Sequence, residues 1–495
     1  MHTETAGPGE APHHPIPRAG RLTLLGWGAL GAALLGLTAL LTAQSHRFGY
    51  DHAVRDMPVF WLAGGLMLAG LLYLPLARLI RRTASSSPGT MRSLLFFVVA
   101  AGLAMRLVLM SSEPALEDDW QRYLWDGALT AHGLNPYAIS PQDAKAADPR
   151  TTTVGKLALE SGVVLGRVNH PEIRTIYPPV AQGVFAVAHW LQPWSLLAWR
   201  GIVLLLDLAS LGLILVLLRD LGRSPLWAAL YWWNPVALKE LFNSAHMDII
   251  VVPLVLLALV LAVRQRFLTA TTALTVAAGA KIWPALLLPL VWRPLLGQPG
   301  RLTAAVLLAA AAAALFAAPM WLAGVDQSLG VVAYAQKWKT NSALFPQIEM
   351  LMGALLSALS VEALPGGTVA RALIGATLAG LALWLNRTPF QSAEDLTSRC
   401  LVLCGALFLL SPAQFPWYYL WVLPLLPLRP VAGFLVLTAT LPLYYAAFHF
   451  LSADTYHIYR DKLVWLVWLP AWTLLALEVL KARRFRLAPS APAGG

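Results

Sequence analysis

Between Pro114 and Tyr137 the chain reads PALEDDWQRYLWDGALTAHGLNPY. Two adjacent carboxylates, Asp118 and Asp119, precede Arg122 and Tyr123. The run after Pro114 is compatible with a helix, and Gly133 supplies a stop. On that helix Asp119, Arg122, Tyr123 and Asp126 fall at i, i+3, i+4 and i+7 and share one face. A positioned carboxylate can take a proton from a reacting group, and an arginine can hold an anion through two bonds. The plainer alternative is a set of capping charges at a helix start, where the helix dipole favours acids. Further along, His246 and Asp248 open an apolar run, which also suits a helix cap. Lys281 divides two short apolar runs. A lysine at membrane depth is costly and usually faces a cavity; its alternative is an interfacial lysine snorkelling outward. Asp207 lies within an apolar run, with Arg106 and Arg200 as available partners.

The elements that must position these groups are membrane helices. The chain has 495 residues, 58% hydrophobic and only 12% charged, against about 25% charged in an average soluble domain. Its mean hydropathy is +0.62. Apolar segments recur from Leu22 to about Leu480, so a soluble enzyme with a single anchor is excluded, as is a disordered or coiled-coil chain. The net charge of +11 comes from arginines that punctuate apolar runs. The positive-inside bias explains it better than a nucleic-acid partner. Cys400 and Cys404 sit four apart in one apolar run and read as small packing residues rather than a disulfide or metal pair.

A span needs roughly 20 apolar residues. On that basis the fold class is an all-α polytopic membrane protein with about 12–14 transmembrane helices. Residues 1–21 read as a cytoplasmic disordered tail, 22–91 as a two-helix extension, 92–430 as the core, 431–480 as C-terminal membrane helices and 481–495 as a basic cytoplasmic tail. The basic clusters place both tails inside. By that parity, segments 177–192 and 346–360 lie along the outer surface or dip in and return. An external loop, 112–197, then carries most of the polar chemistry. Its stretch 112–176 is not of low complexity and reads as folded. No internal repeat is evident.

The string around Asp119 resembles the first external loop of the GT-C superfamily, polytopic glycosyltransferases that use polyprenyl-phosphate sugars. Matching residues are Asp119, Tyr123, Gly133, Asn135, Pro136 and Tyr137. The resemblance is closest to bacterial polyprenol-phosphomannose-dependent mannosyltransferases. Four further segments follow in family order: NHPEIRTIYPP (169–179), NPVALKELFNSAHMDII (234–250), KIWPALLLP (281–289) and SPAQFPWYYLWVLP (411–424). The resemblance covers roughly 115–430 and implies a GT-C-like fold with a long first catalytic loop.

It also implies roles. Asp119, four residues before Tyr123, takes the place of the catalytic carboxylate, with Asp118 as its stand-in. Arg122, Tyr123, Asp126, Asn135, Tyr137, Tyr177, His246, Asp248 and Lys281 are expected to bind substrate. Glycosyl transfer passes through an oxocarbenium-like centre while an acceptor hydroxyl loses its proton; Asp119 would be the base. The lipid phosphate needs cations, for which Arg122, Arg174, Lys281, Lys337, Lys339 and Arg460 are candidates. Trp120 and Trp125 are candidates for sugar stacking; Trp417, Tyr418, Tyr419 and Trp421 read as an interfacial belt. No cofactor is expected, although His246, Asp248 and Asp119 would make a divalent-cation set as an alternative. The expected partners are a polyprenyl-phosphate sugar, a glycan or glycolipid acceptor and the bilayer of the plasma membrane, with the site on its extracytoplasmic side. Competing readings are a transporter or flippase of lipid-linked sugar, with paired acids inside the spans, and a surface-polysaccharide ligase or polymerase.

Overall fold

The computed structural model describes residues 18–83, 87–361 and 363–487. The expected tails at 1–21 and 481–495 fall mostly outside them. The described chain is helical throughout, and its one β-contact is an isolated bridge between Thr340 and Ala413. Among the described residues, eight helices are long and apolar enough to cross a membrane: Leu22–Phe48, Val59–Thr83, Pro88–Leu109, Leu196–Asp220, Pro299–Leu322, Gly366–Leu385, Ala432–Ser452 and Tyr456–Lys481. A ninth crossing would be the pair Pro235–Asn243 and Met247–Val263, bent by 104°.

This is fewer continuous helices than hydropathy alone suggests, and for three of the runs proline is the reason. The stretches 225–239, 282–293 and 416–428 are apolar but carry Pro225 and Pro235, Pro284 and Pro289, and Pro416, Pro424 and Pro427. All of these but Pro427 open a new short turn at its first or second position, because proline fits there and cannot continue the preceding ladder. These stretches accordingly form 3-10 and single-turn helices. The surface segments expected at 177–192 and 346–360 are helices Pro179–Leu191 and Phe345–Ala358, too short to count as spans.

Three elements position the site. We label α1 the helix Asp119–Ala131, α2 Pro179–Leu191 and α3 Leu196–Asp220. Helix α1 ends as expected at Gly133, which takes φ +70° while Leu134 N–H reaches back to Leu129 O at 3.0 Å. Helices α1 and α2 touch closely at Gly127, where a Cβ would meet Phe185 O at 2.5 Å. That approach stacks Tyr123 on Phe185, ring centroids 4.9 Å apart.

The N-terminal helices are built into the same core. Trp27 Nε1 donates to Thr83 Oγ1 at 3.1 Å, and Tyr73 OH to Leu230 O at 2.5 Å. Asp207 finds Arg106: Nε to Oδ2 is 2.5 Å, both side chains are fully buried, and Tyr231 OH donates to the other carboxylate oxygen. Arg106 also lies flat on Trp232, 3.3 Å from its ring centroid. Cys400 and Cys404 are buried and unbonded.

Candidate active site

Two loops distant in sequence meet above this frame. Asn243 joins them: its Nδ2 donates to Ser112 Oγ at 2.9 Å and Glu113 O at 2.7 Å, and its Oδ1 accepts from Ala115 N–H at 3.0 Å. Arg200 reinforces the joint, donating to the carbonyls of Met110, Ser112 and Asn243. Arg122 ties α1 to the end of the first loop through the carbonyls of Asn169, His170 and Ile173, each at 3.0 Å. Its guanidinium is thus a backbone clamp and pairs with neither neighbouring aspartate. Arg174 is committed likewise, to the carbonyls of Ala323 and Gly324 and to Asp326.

The loops enclose a cavity of ≈ 580 Å³, within the usual range for small-ligand sites. Asp118, Asp119, Tyr123, Tyr177, Asp248 and Lys281 line it. So does Glu117, which sequence reasoning missed. Three non-glycine residues beside these groups hold a left-handed backbone: Leu116 (φ 63°), His170 (φ 46°) and Ala245 (φ 59°). Such conformations cost on the order of 1–3 kcal/mol each and persist where the surroundings enforce them. Leu116 and Ala245 immediately precede Glu117 and His246.

Asp118 occupies the N-cap position of α1, yet its side chain makes no capping bond. The capping alternative therefore fails for it. Its Oδ1 instead accepts from Asn169 Nδ2 at 2.7 Å, and the same amide reaches Asp119 Oδ1 at 3.5 Å. Burial, aided by the charge of Asp119, pushes the Asp118 carboxyl up to about 6. Burial likewise holds Glu117 well above the usual carboxylate range; Lys239 opposes that rise, while Glu240, Asp119 and Asp118 add to it. Adjacent acids whose environments differ can divide acid and base roles.

Asp119 keeps its side chain 27% exposed, with Oδ2 3.8 Å from Nδ1 of the fully buried His246. The imidazole lies on Trp417, ring centroids 3.8 Å apart at 17°. Lys281 Nζ donates to Asp248 Oδ1 at 2.7 Å, and Trp421 Nε1 donates to the same oxygen at 3.0 Å. Lys281 also sits 4.1 Å from the centroid of Tyr418. The aromatic residues Trp417, Tyr418 and Trp421 thus wall the cavity and are nearly buried. They are not the interfacial belt that their pattern suggested, and Tyr419, fully buried, turns its hydroxyl to Phe434 O.

Three expected contacts lie elsewhere. Asp126 is buried against Gln182 Nε2 at 3.4 Å, behind the cavity wall, and burial raises its carboxyl. Asn135 accepts from Tyr137 N–H and donates to Pro319 O at 2.9 Å. Tyr137 OH donates to Tyr177 O at 2.7 Å. These residues brace the loop and do not line the cavity. Trp125 packs on Trp194 in a separate small core, and Trp120 also lies off the cavity. Among the remaining cations, Lys339 pairs with Glu349 and Arg460 with Asp461. Lys337 is exposed and does not line the cavity. With Asp248 turned to Lys281 and Trp421, the set His246, Asp248 and Asp119 does not converge on one point. Among the described residues no group of three metal-ligating side chains does.

The sequence carried two overlooked signals. Lys239 and Glu240 interrupt an otherwise apolar segment, and Asn169 opens the motif NHPEIRTIYPP, in which only Arg174 and Tyr177 carried expected roles.

Comparison with known proteins adds one result. The model of Glycosyltransferase family 87 matches residues 175–412, just under half of the chain. No curated protein and no solved structure matches. The matched stretch holds Tyr177, His246, Asp248 and Lys281 and begins downstream of Asp118 and Asp119. Over residues 175–412 the chain is similar to Glycosyltransferase family 87, which indicates glycosyl transfer by a multi-pass membrane protein.

Proposed function

We propose that this chain moves a hexose, mannose, from a polyprenyl phosphate to a glycan or glycolipid acceptor on the extracytoplasmic side of the plasma membrane. The choice of donor and of mannose follows the sequence resemblance. The observation that carries the reaction is the meeting, in one cavity, of Asp119 from the first loop and Lys281 from the turn before a short 3-10 helix. A base and a phosphate-holding cation are what transfer from a sugar phosphate requires.

In this reading the acceptor hydroxyl faces Asp119. Its proton passes to the carboxylate as its oxygen bonds the anomeric carbon. The anomeric carbon–oxygen bond breaks, and its electron pair leaves with the lipid phosphate. Lys281 neutralises the charge that develops there. The aromatic wall of Trp417, Tyr418 and Trp421 offers flat apolar faces to sugar rings and to the lipid. Asp207 does not favour the transport alternative: its partner is a fully buried arginine, and the pair does not line the cavity.

The test is transfer of labelled mannose from polyprenyl-phosphate mannose, wild type against Asp119→Asn at equal folded amounts. A loss of about 10²–10⁴-fold is the size expected for a lost general base. Full activity in the variant would remove Asp119 from the chemistry.

A further inference from the structure

The backbone ahead of His246 is distorted twice within a few residues. Lys239–Asn243 forms a π turn, and Ala245 follows with φ 59°. π turns inside helices recur at functional sites. Together the two distortions fold the chain back on itself, so that His246 N–H bonds Glu240 O at 2.9 Å. The imidazole then stands between two carboxylates. Its Nε2 is 3.4 Å from Glu240 Oε2, and its Nδ1 is 3.8 Å from Asp119 Oδ2. Trp417 holds the ring plane. Glu240 is itself fixed from the far side, where the Tyr445 hydroxyl donates to Oε1 and Lys239 Nζ lies 3.8 Å away. Lys239 in turn donates to Ser244 Oγ at 2.7 Å and to Tyr445. Glu240, His246, Lys239 and Tyr445 are each at most 1% exposed.

So much buried charge is costly unless it is organised. We propose that Glu240 is a positioning residue for proton transfer to Asp119, acting through His246. This rests on Asp119 being the base. Neither ring nitrogen makes a hydrogen bond at these distances and neither has another partner among the described residues, so each can close only on its carboxylate. Closed on Asp119, the ring would hold Oδ2 and leave Oδ1, which takes one bond from Asn169 at 3.5 Å, with its second lone pair for the acceptor proton. Glu240 touches no reacting atom; it keeps the ring from turning or tilting, as the far carboxylate does in carboxylate–histidine pairs elsewhere. The charged groups around this chain are Glu117 and Asp118 from the first loop, Lys239 from the π turn, and Lys281 with Asp248 across the cavity. Tyr445 faces it from the helical turn Leu441–Tyr445.

The experiment compares Glu240→Gln, His246→Gln, the double variant and Glu240→Gln in an Asp119→Asn background, all in the full-length protein with labelled polyprenyl-phosphate mannose. Glu240→Gln should lower kcat by about 10²-fold, the lower end for groups that serve proton transfer, with the donor KM within about twofold. The double variant should be no worse than His246→Gln alone, because groups acting as one unit do not add. The Asp119→Asn background should abolish the Glu240 effect. Glu240→Asp, which keeps the charge, should recover part of kcat; if Glu240→Gln does not fold, this variant against wild type decides the matter, and an unchanged kcat overturns the proposal. A wild-type kcat in Glu240→Gln, or losses that multiply in the double variant, would also overturn it. Activity surviving Asp119→Asn alone would instead strike the parent reading, whatever Glu240 does.

Discussion

Replacing Lys281 by methionine keeps most of the side chain's length and apolar stem and removes its charge. In the structure Nζ spends one hydrogen bond on Asp248, at 2.7 Å, and the side chain remains 23% exposed to the cavity. An ammonium has further donors to give, and these face the space where a lipid phosphate would sit. A hydrogen bond to a charged group contributes roughly 1.5–3 kcal/mol, and about 1.4 kcal/mol is tenfold, so the donor KM should rise about tenfold to about 150-fold. The same change strands the Asp248 carboxylate, 2% exposed, with only Trp421 as partner. Removing one member of a buried pair costs about 3–5 kcal/mol, less here because Lys281 is partly wetted. Stability and binding are therefore separated by the double variant Lys281→Met with Asp248→Asn, in which no charge is left unpaired. The assay is initial rate against polyprenyl-phosphate mannose concentration, alongside thermal unfolding in detergent. The double variant should melt nearer wild type than the single one while its KM stays high. A normal KM in a folded double variant would refute the assignment of Lys281 to the phosphate.

Asp118 predicts a pH dependence. Its carboxyl, raised to about 6, is neutral below that pH and anionic above it, so donor KM should climb as pH rises through 6 because a second negative charge then faces the phosphate. Asp118→Asn should flatten that step; a step of unchanged size would assign it to another group. Gly127→Ala places a methyl 2.5 Å from Phe185 O, a backbone atom that cannot turn aside. Overpacking of this kind costs about 1–3 kcal/mol, and it pries α1 from α2, so both melting temperature and kcat should fall; a variant with wild-type values would mean that the helices separate freely. Asp207→Asn leaves Arg106 charged in a fully buried site and should destabilise by about 3–5 kcal/mol, read as a lowered unfolding midpoint; an unchanged midpoint would show that the carbonyls of Gly102 and Trp232, to which Arg106 Nη1 also donates, satisfy it without the carboxylate.

The membrane class, the helical character and the helix that bears Asp119 were all legible in the sequence, because each rests on local quantities. Apolar length, a proline-to-glycine interval and a face repeating every three or four residues depend on neighbours along the chain. The partner of Asp207 was legible only as a choice between two arginines, and packing selected Arg106. Hydropathy could not say which apolar runs stay straight. Prolines inside 282–293 and 416–428 broke them into short turns, which freed Lys281, Trp417 and Trp421 to face a cavity. Nor could spacing separate Asp126, Asn135 and Tyr137, which brace the loop, from Asp119, which opens on the cavity; all belong to one motif, and their fates differ only by which way the folded loop turns them. Glu240 and His246 were six residues apart and unremarkable as a pair. A π turn and one left-handed alanine brought them face to face beside Asp119. Local chemistry declared which groups were costly to bury, and only the tertiary structure decided which of them meet, because burial and pairing are properties of space rather than of sequence.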